Sequence, residues 1–142
     1  METSARNVFH GKVTAVRSGA INDEVELAVE GGQSIVASIT KASTQKLGLA
    51  PGKEAIALIK ASFVLLMNDA DQYILSTRNQ FNGTVAKVTP GAVNAEVQVD
   101  VPGMPGITSI VTMGSVNKLG LAAGKPVTAI IKAPHVILVV AK

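Results

Sequence analysis

Three kinds of side chain that can donate hydrogen bonds to an anion recur at matched positions in the two halves of the sequence. Arginine offers a planar fork of donors, lysine a compact charge, and serine a short donor that can reorient. Together with backbone N–H groups at small residues, such a set could surround a tetrahedral dianion. The alternative is that these are ordinary surface charges at strand ends, and residue types alone favour that alternative. The recurring residues are Ser4, Arg6, Lys60 and Ala61, matched by Ser76, Arg78, Lys132 and Ala133.

These matched positions belong to an internal duplication. Residues 4–66 align with residues 76–138 at a constant shift and without a gap, and about 30 of the 63 positions are identical. The phrase SARNVFHG returns as STRNQFNG, and KLGLAPGK returns as KLGLAAGK. Chance would give only a few identities, so the chain contains two copies of one module. We place the modules at 1–68 and 69–142, with a polar connector at about 67–75.

The other residues with catalytic potential give little support for an enzyme. His10 and His135 each align with a different residue type in the other copy, so we interpret both as surface residues rather than metal ligands or proton carriers. Glu24 and Glu96 recur, but the second acid that glycoside hydrolysis requires does not. We expect these two glutamates to form ion pairs on a strand surface or at an interface. The chain has no cysteine, which excludes disulfides and thiolate sites.

The apolar spacing within each module predicts short strands and one helix. NDEVELAV alternates apolar and polar residues with the period of a half-buried strand, and EAIALIKASFVLLM supplies one or two further strands. Thr40 is placed to cap the start of a short helix, and Gly48 to end it in the left-handed conformation. Four or five strands and one helix in about 65 residues predict a mainly β fold of two small barrels of the oligonucleotide/oligosaccharide-binding (OB) type.

The composition and charge favour self-association and argue against nucleic-acid or membrane partners. Hydrophobic residues are 47% of the 142-residue chain, aromatic residues 3% and charged residues 16%, so the core is aliphatic and some of the surface is expected to lie in interfaces. Two modules of about 70 residues also bury little surface alone, so self-association is expected. The net charge of +3 is modest, and no basic cluster resembles a nucleic-acid stripe. The apolar runs are too short for a bilayer and no leader is visible, so we expect a soluble cytoplasmic protein without membrane contact.

Three pairs of phrases resemble the molbindins, a family of Mop-type molybdate-binding modules, in their two-module form: SARNVFHG and STRNQFNG, GAINDEV and GAVNAEV, and IKASFV and IKAPHV. The resemblance covers nearly the whole chain. It implies tandem OB-like Mop barrels that bind molybdate, and tungstate, as a ligand without a covalent cofactor. It also implies a role in molybdenum storage or homeostasis, and a homotrimer of six modules with anion sites at contacts between modules and subunits. Storage, buffering and delivery stay open.

Carried onto this sequence, the resemblance implies two classes of site. The strands that carry Ser-x-Arg-Asn and Ile-Lys-Ala could belong to different modules or chains. The class near the threefold axis, here called the threefold turns, would use mainly backbone N–H groups, although an asparagine in such a turn can equally serve only its own backbone. The interface class, here called the interface set, comprises Ser4, Ala5, Arg6, Lys60, Ala61 and Ser62, and Ser76, Thr77, Arg78, Lys132, Ala133 and Pro134. The threefold turns comprise Gly19, Ala20, Ile21 and Asn22, and Gly91, Ala92, Val93 and Asn94.

The two copies of the interface set are not identical. Pro134 replaces Ser62 and removes both a hydroxyl and a backbone N–H. Thr77 replaces Ala5 and brings a hydroxyl that could compensate. We therefore predict that the two interface sites differ in affinity.

The alternative function is an OB-type module that binds nucleic acid. Such surfaces stack bases on aromatic side chains along a basic groove. Phe9 and Phe81 recur in both copies, but their strand setting indicates core anchors.

Overall fold

The structure, a computed structural model, describes residues 1–142 and contains two five-stranded antiparallel sheets. The predicted mainly β fold, with about five short strands and one short helix per module, is confirmed. Three short 3₁₀ turns lie at Ala61–Phe63, Ala70–Gln72 and Ala133–His135. The first module contains β1 (Asn7–Ser18), β2 (Asn22–Val29), β3 (Ser34–Thr40), α1 (Lys41–Leu47), β4 (Glu54–Ile59) and β5 (Leu65–Met67). The second contains β6 (Gln80–Pro90), β7 (Asn94–Asp100), β8 (Ile107–Thr112), α2 (Met113–Leu119), β9 (Pro126–Ile130) and β10 (Ile137–Val139).

The strands bury the face that the alternating pattern predicts. In β2, Val25 and Leu27 are fully buried, while the alternate residues Glu24, Glu26 and Ala28 are half-buried. Phe9 and Phe81 are 1% and 2% exposed and lie in one continuous core of 27 buried residues that spans both sheets. The core is therefore aliphatic, with the two phenylalanines as anchors, as predicted.

Both helices begin and end as predicted. The Thr40 hydroxyl accepts a hydrogen bond from the Ser43 N–H, and Gly48 ends α1 with a φ of 64° and its N–H directed to helix carbonyls. Thr112 and Gly120 do the same for α2. Each helix has seven residues, and no helix in the structure is long and apolar enough to cross a membrane.

The two modules exchange their last strands. The strand orders are β10-β4-β1-β2-β3 and β5-β9-β6-β7-β8, so β5 of the first module completes the sheet of the second, and β10 of the second completes the sheet of the first. Leu65 lies opposite Ile130, and Ile137 lies opposite Leu58. Each sheet therefore requires both halves of the chain, and the division at 1–68 and 69–142 describes the sequence repeat rather than two separate sheets.

Candidate functional site

The register of β1 and β4 brings the two parts of the interface set together in the first module. Asn7 lies opposite Ile59 at the end of this antiparallel pair. Arg6 and Lys60 lie one residue beyond this pair, so the register places them next to each other at the same end of the two strands. The Ser-x-Arg-Asn and Ile-Lys-Ala segments therefore come from one module.

The second module repeats this arrangement. The Ile131 N–H donates to the Asn79 carbonyl at 3.0 Å, which extends the pairing of β6 with β9 to the end of each segment. Arg78 and Lys132 are again the next residues outward. In both modules, the arginine and the lysine of the interface set thus lie at equivalent ends of the two central strands that carry them.

A 3₁₀ turn presents the end of the interface set to solvent. Lys60 precedes the turn, and its carbonyl accepts from the Phe63 N–H at 2.9 Å. The Lys60 ammonium lies 5.4 Å from the centre of the Phe63 ring, a cation–π distance. Ser62 is exposed, as are Ser4 and Arg6, whereas the small Ala61 is buried. The charged and hydroxyl donors are therefore accessible above a packed backbone.

Each arginine of the interface set forms an ion pair with the other module. Arg6 Nη2 contacts Glu96 Oε1, and Arg78 Nη2 contacts Glu24 Oε1. The arginine side chains remain about half exposed, at 49% and 51%. Glu24 also lies 3.4 Å from Arg17 Nη1. The expected ion-pair role of Glu24 and Glu96 is confirmed, and the donor set faces a carboxylate in each module.

Two buried asparagines, which sequence reasoning missed, join the modules next to these ion pairs. The Asn79 side chain accepts from the Val36 N–H at 2.8 Å and donates to the Val36 carbonyl at 2.7 Å. Asn7 makes the same pair of bonds with Thr108, both at 2.8 Å. Both asparagines are at most 2% exposed. A signal was present, because Asn7 is identical in both copies and lies two residues before the core residue Phe9, which puts both on the inward face.

The Thr77 hydroxyl is already used inside its module. Thr77 Oγ1 donates to the Ile131 carbonyl at 2.9 Å and accepts from the Asn79 N–H at 3.2 Å. A hydroxyl has one proton to donate. The second module has Pro134 where the first has Ser62, and it therefore lacks that hydroxyl. Thr77 could donate to an anion in its place only by breaking its hydrogen bond to the Ile131 carbonyl.

The two 3₁₀ turns that follow the lysines meet each other. The rings of Phe63 and His135, which occupy aligned positions, stack with centroids 4.3 Å apart and an interplanar angle of 25°. His135 is half-buried, and its Nδ1 is buried without a hydrogen-bond partner. His10 is exposed, as predicted, whereas His135 is only partly exposed and one face of its ring stacks on Phe63.

The threefold turns are tight β-hairpin connections. The Gly19 N–H donates to the Asn22 carbonyl at 2.9 Å, and the Gly91 N–H to the Asn94 carbonyl at 2.8 Å. A Cβ on Gly19 would lie 2.4 Å from the Asn22 carbonyl oxygen, which explains the glycine. The glycine N–H groups are thus engaged within the turns, while Ile21 is 77% exposed at one hairpin tip.

A buried carboxylate holds only the first of these turns. Asp23 is 3% exposed, accepts from the Gly19 N–H at 3.3 Å and lies 3.5 Å from Lys41 Nζ. The pKa of Asp23 lies below its usual value, chiefly because of a hydrogen bond from the Thr44 hydroxyl and then because of the Lys41 charge and the Gly19 N–H. Burial acts in the opposite direction and raises the pKa. In the second module the aligned residues are Ala95, Met113 and Val116, which lie in or against the hydrophobic core, so no carboxylate holds that turn.

The two main cavities lie away from the interface set. One of about 790 Å³ is lined by residues around His10, Lys53 and Val139, and one of about 440 Å³ by the aligned residues around Asn82, Lys125 and Met67. The connector lines the second cavity. Neither of these two cavities is lined by a residue of the interface set.

The buried aromatic residues do not favour a nucleic-acid surface. Phe9 and Phe81 lie in the core and cannot stack on bases. Phe63 already stacks on His135. The structure therefore offers no row of accessible rings along a basic groove.

The model of the TOBE domain matches the chain twice, at residues 3–66 and 75–138. These two matches coincide with the two copies of the internal repeat. They leave out only the first two residues, the connector and the last residues.

Curated relatives and a solved structure share this arrangement. The chain is 49% identical over 138 residues to the molybdenum-pterin-binding protein MopA of Rhodobacter capsulatus and 41% identical over 140 residues to the molybdenum transport protein ModE of Herbaspirillum seropedicae. These matches cover 97% and 99% of the chain but 52% of each relative, so the chain spans about half their length. It also matches a structure of the cytoplasmic molybdate-binding protein ModG with molybdate bound, with a TM-score of 0.95 and 48% identity over 99% of this chain and 100% of that one. This likeness confirms the predicted pair of tandem OB-like barrels.

Proposed function

The chain belongs to the TOBE domain family as a tandem pair of Mop-type modules, and on that premise we propose that it binds molybdate. The names of the similar proteins point to molybdenum, and in one of them to molybdate itself. The protein is a binder rather than an enzyme in this proposal, and it acts in the cytoplasm in molybdenum storage or homeostasis.

The observation that carries the proposal is the duplicated placement of Arg6 beside Lys60 and of Arg78 beside Lys132 at equivalent strand ends. Each charged donor contributes about 1.5–3 kcal/mol net to an anion. Several are therefore needed to offset the desolvation of a dianion. In each module, the interface set supplies a guanidinium, an ammonium and one or two hydroxyls. A neighbouring subunit can complete the site.

The expected selectivity follows from size. Sulfate is smaller than molybdate and leaves some donors unpaired, which costs affinity. Tungstate has almost the same shape and charge as molybdate, so it is expected to bind as well.

The proposed assembly is a homotrimer of six modules. The hairpin tips expose Ile21 at 77% and Val93 at 73%, and such apolar tips suit a contact between subunits. A second class of site is proposed at the threefold turns, where only N–H groups other than those of Gly19 and Gly91 can contribute.

The test is equilibrium binding of molybdate with sulfate and phosphate as competitors, together with the mass of the assembly in solution. Lys60→Met, which keeps the aliphatic stem but removes the charge, is expected to weaken molybdate binding at least tenfold at the first interface site. Lys46→Met is the matched control, because Lys46 is an exposed lysine in the last turn of α1. Absence of molybdate binding, or equal effects of the two substitutions, would refute the proposal.

A further inference from the structure

Building on the proposed function, we propose that Glu96 and Glu24 determine the selectivity of the interface sites. Each holds the arginine of the opposite module in place and also repels an anion that does not satisfy the remaining donors. The acids of one module would thus set the specificity of the other module's site.

The first support is the geometry of the ion pairs. Arg6, which precedes β1, contacts Glu96 in β7, and Arg78, which precedes β6, contacts Glu24 in β2. Each contact uses one nitrogen, Nη2, of a group with five N–H donors. The other donors of the half-exposed guanidinium remain accessible to a second anion.

The second support is the rigidity of both partners. The residue after Arg6 is Asn7, whose buried side chain is bound to the edge strand β8 by two hydrogen bonds of 2.8 Å. Glu96 lies within β7, paired on one side with Thr89 and on the other with Ile110. The arginine therefore cannot follow a small anion without leaving its carboxylate.

The third support is the charge of the carboxylates. A dianion bound to Arg6 lies close to the negative charge of Glu96, whose side chain is only 25% exposed, so solvent screens this repulsion only in part. An anion large enough to reach the guanidinium, the Lys60 ammonium and the hydroxyls together can offset the repulsion. A smaller anion leaves a donor unpaired and cannot.

The two sites are not equivalent in this respect. Glu24 lies 3.4 Å from Arg17 as well as contacting Arg78, so two cations share its charge. The residue aligned with Arg17 is Thr89, so Glu96 has no second arginine. Glu96 is therefore expected to affect selectivity more strongly than Glu24.

The experiment titrates the full chain with molybdate and with sulfate and measures its melting temperature without anion. Glu96→Gln removes the charge but keeps an acceptor. We expect it to tighten binding of both anions and of sulfate more, so that the ratio of the sulfate to the molybdate Kd falls about tenfold. Glu24→Gln is expected to lower the ratio less. Glu26→Gln is the matched control, because the Glu26 carboxylate forms its ion pair with Arg17 rather than with an arginine of the interface set, and its aligned residue is already Gln98.

A further variant separates charge from structure. Glu96→Asp keeps the charge and is expected to keep the ratio near that of the wild type. A purely structural role would lower the melting temperature of Glu96→Gln and leave the ratio unchanged, and that result would overturn the inference. So would weaker binding of both anions. If the unaltered protein bound neither anion, the proposed function itself would fail.

Discussion

Asn7 and Thr108 lie 101 residues apart in the sequence and are joined by two hydrogen bonds of 2.8 Å between the asparagine side chain and the threonine backbone. Thr108 is in β8, the outer strand of its sheet. The Asn7 side chain therefore binds the edge of that sheet as a neighbouring strand would, and Asn79 does the same at Val36 in β3. Exposed strand edges invite unwanted pairing, and each of these contacts both joins the modules and pairs the backbone N–H and carbonyl of one residue on an edge strand.

Asn79→Ala is expected to destabilise the protein by about 2–4 kcal/mol, because it leaves a backbone N–H and a carbonyl of Val36 unpaired in a buried place. Asn7→Ala should cost a similar amount. Urea unfolding followed by circular dichroism measures both. Asn117→Ala, at an exposed position in α2, is the control and should change the free energy of unfolding by less than about 0.5 kcal/mol. Equal free energies of unfolding for Asn79→Ala and Asn117→Ala would show that the contact between Asn79 and Val36 does not stabilise the protein.

The strand exchange makes a prediction about local stability. Leu138 is 6% exposed in β10, which pairs with β4 of the other module. Leu138→Ala should cost about 2–5 kcal/mol, and it should raise hydrogen exchange first in β4. Leu66→Ala in β5 is the matched variant and should raise exchange first in β9. If each substitution instead affected the strands of its own module first, the exchanged pairing would be wrong.

Much of the fold could be predicted because it depends on local patterns. Thr40 and Gly48 set the ends of α1 through backbone geometry that their residue types favour, and the alternation in β2 specifies its buried face. The exchange of β5 and β10 could not be predicted, because the two copies are so alike that each last strand fits either sheet.

Part of the candidate site could be predicted from the repeat. Arg6 and Lys60 recur together, and the repeat indicates that they share one role. That Glu96 lies against Arg6 depends on the contact between modules, which no short-range pattern encodes. The position of Asn7 two residues before Phe9 indicates that its side chain points inward, but its role was missed because its partner, Thr108, is 101 residues away.

The Asp23 carboxylate makes the first module sensitive to acid. Its folded-state pKa is below the usual 3.8, chiefly through the Thr44 hydroxyl and then through Lys41 and Gly19. A lowered pKa means that its contribution to stability is fully present above the unfolded value and is lost as the pH falls through the folded value. The melting temperature of the wild type should therefore exceed that of Asp23→Ala at pH 7, and the difference should shrink below about pH 3.8.

The second module provides the control for this prediction. The triple variant Asp23→Ala, Lys41→Met and Thr44→Val gives the first module the residues that the second module has at the aligned positions. This triple variant should fold at pH 7 without an unpaired lysine, and its stability should lack the acid-dependent part. A difference between wild type and triple variant that did not change between pH 7 and pH 3 would contradict the assignment.

The exchange of Ser62 for Pro134 tests whether the proposed sites use the hydroxyl of the 3₁₀ turn. The two residues occupy the middle of equivalent turns, so Pro134→Ser restores a hydroxyl and an N–H without a change in backbone path. One hydrogen bond to a charged oxygen is worth about 1.5–3 kcal/mol, which corresponds to roughly 10-fold to 100-fold in affinity. Calorimetric titration of Pro134→Ser should therefore show tighter molybdate binding at the second interface site, and Ser62→Ala weaker binding at the first. Pro51→Ser, in a turn outside the interface set, controls for the loss of a proline. Titration curves of Ser62→Ala and Pro134→Ser that both matched the wild type would exclude the hydroxyl, and would leave Arg6 and Lys60 as the donors to test next.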